Sequence, residues 1–143
     1  MTDTATRTAG PEVTAPNTIT ALVPSDTPIG TPVRKSGTGT AVPARADSAA
    51  DARCIGLLAT AGAADTDPQI RYAGPLTLTT AEWDALTSDV GGLVEDDYYF
   101  LSQATAGKLT KTAPVSGIRA PIGVALSVDT MLILISYPAT VGA

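Results

Sequence analysis

The side chains that most often carry chemistry are scarce or badly placed in this sequence. Histidine is absent from all 143 residues, which removes the commonest general base, the usual member of a nucleophilic triad and the commonest metal ligand together. Cys54 is the single cysteine. It precedes the apolar run Ile55-Gly56-Leu57-Leu58 with no imidazole to draw off its proton, and reads as a small buried hydrophobe rather than a nucleophile. One cysteine also excludes an internal disulfide and a cysteine-rich metal site. Carboxylates gather at Glu95-Asp96-Asp97 and at Asp65-Thr66-Asp67, and such oxygens could hold a hard cation. Neither run has the alternating ligands, central glycine and closing Glu of a calcium loop, so both read as solvated turns. Gly37-Thr38-Gly39 lacks the Lys-Ser/Thr of a phosphate loop and the third glycine of a dinucleotide fingerprint, and reads as a hairpin. Paired acids for glycoside cleavage would need an aromatic-lined sugar cleft, which one Trp and four scattered Tyr support poorly. The expectation is a protein with no catalytic residue, no cofactor and no metal, hence not an enzyme.

Whatever work remains must be done by surfaces, and the composition limits which. Nine Lys and Arg face fourteen Asp and Glu, a formal net charge of −5. With no sequence-wide basic surface to displace counterions, nucleic acid is not an expected partner. The longest apolar run, residues 131–135, is far short of the roughly 20 needed to cross a bilayer, and no basic-then-apolar stretch stands at the start. These features predict neither a membrane segment nor export, and a single cysteine fits assembly in a reducing cytosol. Apolar residues make up 44% of the chain but aromatics only 4%, so the core must be built from Ala, Val, Leu and Ile around Trp83, Phe100 and the tyrosines.

The elements that position these residues read as short strands. Residues 1–16 mix Thr, Ala, Pro and a few charges with no apolar period, and are expected to form a flexible or extended N-terminal arm. From residue 17 to 143 a single β-rich domain is expected. Strand-length runs stand at 18–23, 32–35, 41–44 and 54–59, the second and third joined by the glycine hairpin, with a short helical turn possible over 44–53. Runs at 69–73 and 76–79 are separated by Gly74-Pro75. Thr79 and Glu82 have capping-box spacing, and Trp83 and Leu86 share a face behind them, so one short α-helix is expected at about 79–87, stopped by Ser88, Asp89 and Gly91-Gly92. Strands at 98–102, 108–112, 121–126 and 130–136 follow. The fold expected is mainly β, a small β-barrel or β-sandwich.

One phrase recurs. At an offset of about 67 residues, Pro32-Val33 falls on Tyr99-Phe100 and Ile55-Gly56-Leu57 on Ile122-Gly123-Val124, while Gly39-Thr40-Ala41 matches Gly107-Lys108-Leu109 with a one-residue slip. This suggests a pseudo-repeat over about 30–59 and 97–126. Gly56 and Gly123 are expected at a bulge or a close backbone approach, since glycine weakens a strand that does not need the space.

A longer series of phrases points to a family. Leu76-Thr-Leu-Thr-Thr-Ala-Glu-Trp83-Asp-Ala-Leu86, Tyr98-Tyr-Phe-Leu-Ser102, Gly107-Lys-Leu-Thr110 and Ile122-Gly-Val-Ala-Leu-Ser127, preceded by Gly30-Thr-Pro-Val33 and Cys54-Ile-Gly-Leu-Leu58, resemble the capsid decoration (cement) and head-fibre structural proteins of tailed phages. The resemblance covers roughly residues 17–136. It implies a virion protein, made in the host cytoplasm, that sits on the outer capsid surface, binds the major capsid protein and itself as a homotrimer, and stabilises the shell. The alternative it implies is a head-fibre or tail-fibre module for attachment to the host surface. The arm, Tyr137-Pro138 and exposed loop tips are the candidate contacts, with Trp83 and Tyr99 expected in the core.

Overall fold

Glycine sets the turn of the first hairpin. Gly37 and Gly39 adopt φ of 77° and 73°, which lets β2 (Pro32–Lys35) fold directly back on β3 (Ala41–Pro43). In the computed structural model, which describes residues 17–142, this hairpin joins β1 (Thr18–Thr20), β4 (Cys54–Leu58) and β5 (Gln69–Arg71) in an antiparallel sheet of order β1-β5-β4-β2-β3. A second antiparallel sheet holds β6 (Gly74–Thr77), β7 (Tyr98–Leu101), β8 (Leu109–Thr110), β10 (Pro121–Ala125) and β11 (Thr130–Ile133), in the order β6-β11-β10-β7-β8. A small ribbon pairs β9 (Gly117–Arg119) with β12 (Ala139–Val141). The protein is mainly β and sandwich-like with one short helix. Both large sheets are open, so of the two expected architectures the closed barrel is absent among the described residues. The expected arm, residues 1–16, lies outside the described residues.

The helix α1 (Thr80–Thr87) forms where the capping box predicts it. Thr79 Oγ1 accepts from the Glu82 amide at 3.1 Å, while Glu82 Oε1 accepts from the Thr79 amide at 2.9 Å. Ser88 closes the helix at φ 64°, and the Asp84 carboxylate takes up the amides of Gly91 and Gly92 at 3.0 and 2.7 Å. Of the short helical turn expected over 44–53, one Ala52 amide to Ser48 carbonyl bond is found; the rest of the stretch makes tight turns whose amides go elsewhere, that of Arg45 to the Asp51 carbonyl at 3.0 Å and that of Ala46 to Ser102 at 2.9 Å. The break expected at Gly74-Pro75 falls two residues earlier, and both residues belong to β6. That is an edge strand, where proline's missing N–H breaks no ladder bond. β9 and β12, whose sequences carry no alternation, were not anticipated.

The two large sheets have the same strand order and the same irregularity. In the first, Pro32, Val33 and Arg34 pair with Leu57, Gly56 and Cys54, skipping Ile55. In the second, Tyr98, Tyr99 and Phe100 pair with Val124, Gly123 and Pro121, skipping Ile122. A bulge therefore sits at the isoleucine of each Ile-Gly phrase. The sheet register makes Val33 the counterpart of Tyr99, an offset of 66, so the strand alignment read from sequence alone is one residue out on β2. Ala41 is the counterpart of Leu109, an offset of 68, in keeping with the slip in the hairpin. Gly56 and Gly123 meet the same obstacle. A Cβ on Gly56 would lie 2.6 Å from the Arg71 carbonyl oxygen, and one on Gly123 would press on that of Leu132, the residue equivalent to Arg71.

The main core lies between the sheets. Tyr99, Leu101, Ile122, Met131 and Ile133 of the second sheet, Trp83 and Leu86 of α1, and Cys54 and Leu57 of the first sheet form one buried cluster. Trp83 and Tyr99 are both fully buried, as expected from their size. Val33, Ala41, Leu58 and Ile70, on the opposite face of the first sheet, form a separate small cluster. Backbone bonds stitch the halves together, from the Ala46 amide to Ser102 and from the Gly107 amide to Ala44, at 2.9 and 2.8 Å.

Candidate interaction surface

Groups read as potentially reactive are placed in structural roles. Cys54 is buried in β4; its Sγ points toward the Gly56 carbonyl oxygen at 3.4 Å, and desolvation pushes its thiol up to about 12. Such a thiol holds its proton at neutral pH and is a poor nucleophile. The Tyr99 hydroxyl accepts from the Val94 amide at 2.9 Å, and burial raises its pKa. Asp65 and Asp96 occupy left-handed turn positions, at φ 64° and 71°. Among the described residues, no three Asp, Glu or Cys side chains are grouped so as to share an ion. Asp129 is half-buried, and hydrogen bonds from Ser127 and Thr130 at 2.8 and 3.0 Å hold its carboxyl below the usual carboxylate range. It organises the β10–β11 turn, whose Asp129 carbonyl also accepts from the Trp83 indole at 2.8 Å.

The phrases that carry the family resemblance are framework. Trp83 is core, Gly107 lies under Thr31 and Pro43 at the seam between halves, and Lys108, just before β8, reaches the Ala85 carbonyl at 2.8 Å.

The surface offers a groove at the start of β4. A depression of about 620 Å³ is lined by Arg34, Lys35, Gly37, Thr38, Ala50, Arg53 and Ile55. A second, of about 310 Å³, shares Arg53 and Ile55 and continues past Cys54 to Ile135, Ser136, Tyr137 and Pro138. One end is cationic and the other apolar. Three of the chain's nine cations converge on the first part, against a single ion pair there, Arg34 to Asp51 at 3.5 Å. Both partners of that pair are partly exposed, so the pair adds little to stability and leaves the guanidinium available. Tyr137 is 88% exposed, unusual for so large a side chain.

The pairing of β2 with β4 brings these cations together. With Ile55 skipped, Arg34 stands opposite Cys54, next to Arg53 at the start of β4. Sequence reasoning named Tyr137-Pro138 as a contact but missed the cationic half, because Arg34, Lys35 and Arg53 form no run in sequence and are assembled only by the pairing of β2 with β4. No protein-family model matches this chain, and no curated protein or solved structure matches it.

Proposed function

We propose that this protein is a phage virion structural protein that decorates and stabilises the capsid by binding subunits of the major capsid protein. The observation that supports this most is the open groove with a cationic end at Arg34, Lys35 and Arg53 and an apolar end at Tyr137 and Pro138. It suits an extended protein segment carrying carboxylates and an apolar anchor. Guanidinium groups bind carboxylates bidentately, and an exposed tyrosine supplies area at low entropic cost. Each contact is weak alone, but a symmetric shell repeats it many times and multiplies its effect by avidity. The phrases at Trp83, Tyr98 and Ile122 that resemble decoration proteins add support at the level of fold.

The test is survival of purified heads under heat and low salt, with and without the protein. Binding together with raised survival is expected. Arg53→Glu and Tyr137→Ala, both on exposed residues, should weaken binding while leaving the fold intact. Absence of binding with unchanged survival would refute the proposal, and attachment to fibres in place of heads would favour the fibre alternative.

A further inference from the structure

The groove at the start of β4 lies where residues 1–16 join the fold. β1 runs antiparallel to β5, β5 to β4 and β4 to β2. The end at which the chain enters β1 is therefore the end at which β4 begins and β2 finishes, where Arg53 and Lys35 line the groove. The Asn17 carbonyl accepts from the Tyr72 amide at 3.0 Å, and a Cβ on Gly74 would lie 3.2 Å from Asn17 Nδ2. Gly74 in turn pairs with Ile133, two residues before Ile135 on the groove's apolar wall. The chain thus enters the first sheet beside the apolar end of the groove.

Reach and charge both fit. β1 and β2 are three strand spacings apart, about 14 Å. Glu12 stands five residues ahead of Asn17, which gives an extended reach of about 16 Å, and Pro16 biases Ala15 toward an extended backbone. Starting from Asn17, the order Pro16, Ala15, Thr14, Val13, Glu12 sets mostly small and apolar residues along the apolar end and a carboxylate at the cationic end. The cations there have capacity to spare: Arg34 pairs with Asp51, but Lys35 and Arg53 form no ion pair among the described residues.

We propose that residues 11–16 of the same chain lie in this groove in the free protein, with Glu12 against Lys35 and Arg53. So short a tether holds the segment at a local concentration of about millimolar, so contacts as weak as partly exposed ion pairs suffice. Occupancy by the arm does not depend on what else the groove binds. Its consequence does rest on the capsid role proposed above: a capsid segment must displace the arm, and its apparent affinity falls with the fraction of grooves that stand open.

Carbodiimide coupling of the full chain tests this, because the reagent condenses a carboxylate with a nearby amine to an amide and takes up the water as its urea. Lys35 is one of three lysines, and the pair Lys111 and Asp89, 3.8 Å apart, sets the reagent dose. Peptide mapping should find Glu12 joined to Lys35 within single chains. Arg53→Ala, at an exposed residue, should cut that yield roughly threefold relative to the Lys111–Asp89 link. A Lys111–Asp89 link without one from Glu12 to Lys35, a Glu12–Lys35 link only between two chains, or a yield indifferent to Arg53→Ala, as in random encounters of a tethered segment, would overturn the proposal. On purified heads Glu12→Gln should tighten binding roughly threefold, and unchanged binding would overturn the competition. Linkage without any binding to heads keeps the arm in the groove and removes the capsid role; binding to heads without linkage does the reverse.

Discussion

Replacing Gly123 with alanine should destabilise the protein far more than the loss of a flexible residue would suggest. The added methyl presses on the Leu132 carbonyl oxygen and lies 3.0 Å from Met131 Cγ. The equivalent Gly56→Ala methyl would lie 2.6 Å from the Arg71 oxygen, with 2.6 Å to Ile70 Cγ2. An ordinary carbon–oxygen contact is about 3.3 Å, so the first sheet must open by about 0.7 Å at Gly56 and the second by more at Gly123. The obstructing oxygen belongs to a neighbouring strand and cannot swing aside, as a side-chain tip could. Overpacking of this kind costs about 1–3 kcal/mol. Stiffening the unfolded chain returns somewhat under 1 kcal/mol, which leaves a net loss of about 2 kcal/mol for Gly123→Ala and somewhat less for Gly56→Ala. At about 4 °C per kcal/mol for a domain of this size, the melting temperature should fall by about 8 °C. Gly39→Ala is the control. Nothing lies within 4 Å of its Cβ, and only its φ of +73° opposes the change, at a cost of about 1 kcal/mol. Thermal unfolding followed by far-ultraviolet dichroism, with urea titration for the free energies, should rank the losses Gly123, then Gly56, then Gly39. A Gly123→Ala variant as stable as the parent would refute the close-approach reasoning and the bulge equivalence with it.

Other consequences can be checked on the same material. Trp83→Phe removes the indole bond to Asp129 and part of a fully buried side chain; urea unfolding should show a loss of about 2–3 kcal/mol, limited because the Asp129 carbonyl keeps its bond from the Leu78 amide. The Cys54 thiol holds its proton up to about 12 when folded but only to about 8.5 when unfolded. Below the unfolded value the thiol has no effect on the pH dependence, and between the two values stability should fall by about 1.4 kcal/mol per pH unit, a slope that Cys54→Ala should remove from alkaline urea titrations. Asp129 has a folded pKa below its unfolded one, so its stabilising effect is present above about pH 3.9 and is lost as pH falls through the folded value; Asp129→Asn should flatten the acid limb of the stability profile.

The helix was the most legible element in the sequence, because Thr79, Glu82, Trp83 and Leu86 encode cap and buried face within about two turns. The strands around the two Ile-Gly phrases were legible for a similar reason: a glycine in an apolar run marks where backbones crowd. Their partners Gln69–Arg71 and Leu109–Thr110 were legible as well, inside the longer expected runs 69–73 and 108–112. β9 and β12 were not: Gln103 ties Ser116 and Ile118 beside β9 at 2.8 and 3.1 Å, a contact with no local pattern. The candidate surface was half visible. Tyr137-Pro138 stands out in sequence as an aromatic beside a proline near the end of the chain, whereas Arg34 and Arg53 become neighbours only through the pairing of β2 with β4.

The central claim, that the chain works by covering a viral shell, is tested most directly by immunogold electron microscopy of particles purified from a culture that expresses it. Gold distributed over the head surface is the predicted result. Gold confined to tails or fibres, or protein recovered only in the particle-free supernatant, would contradict it.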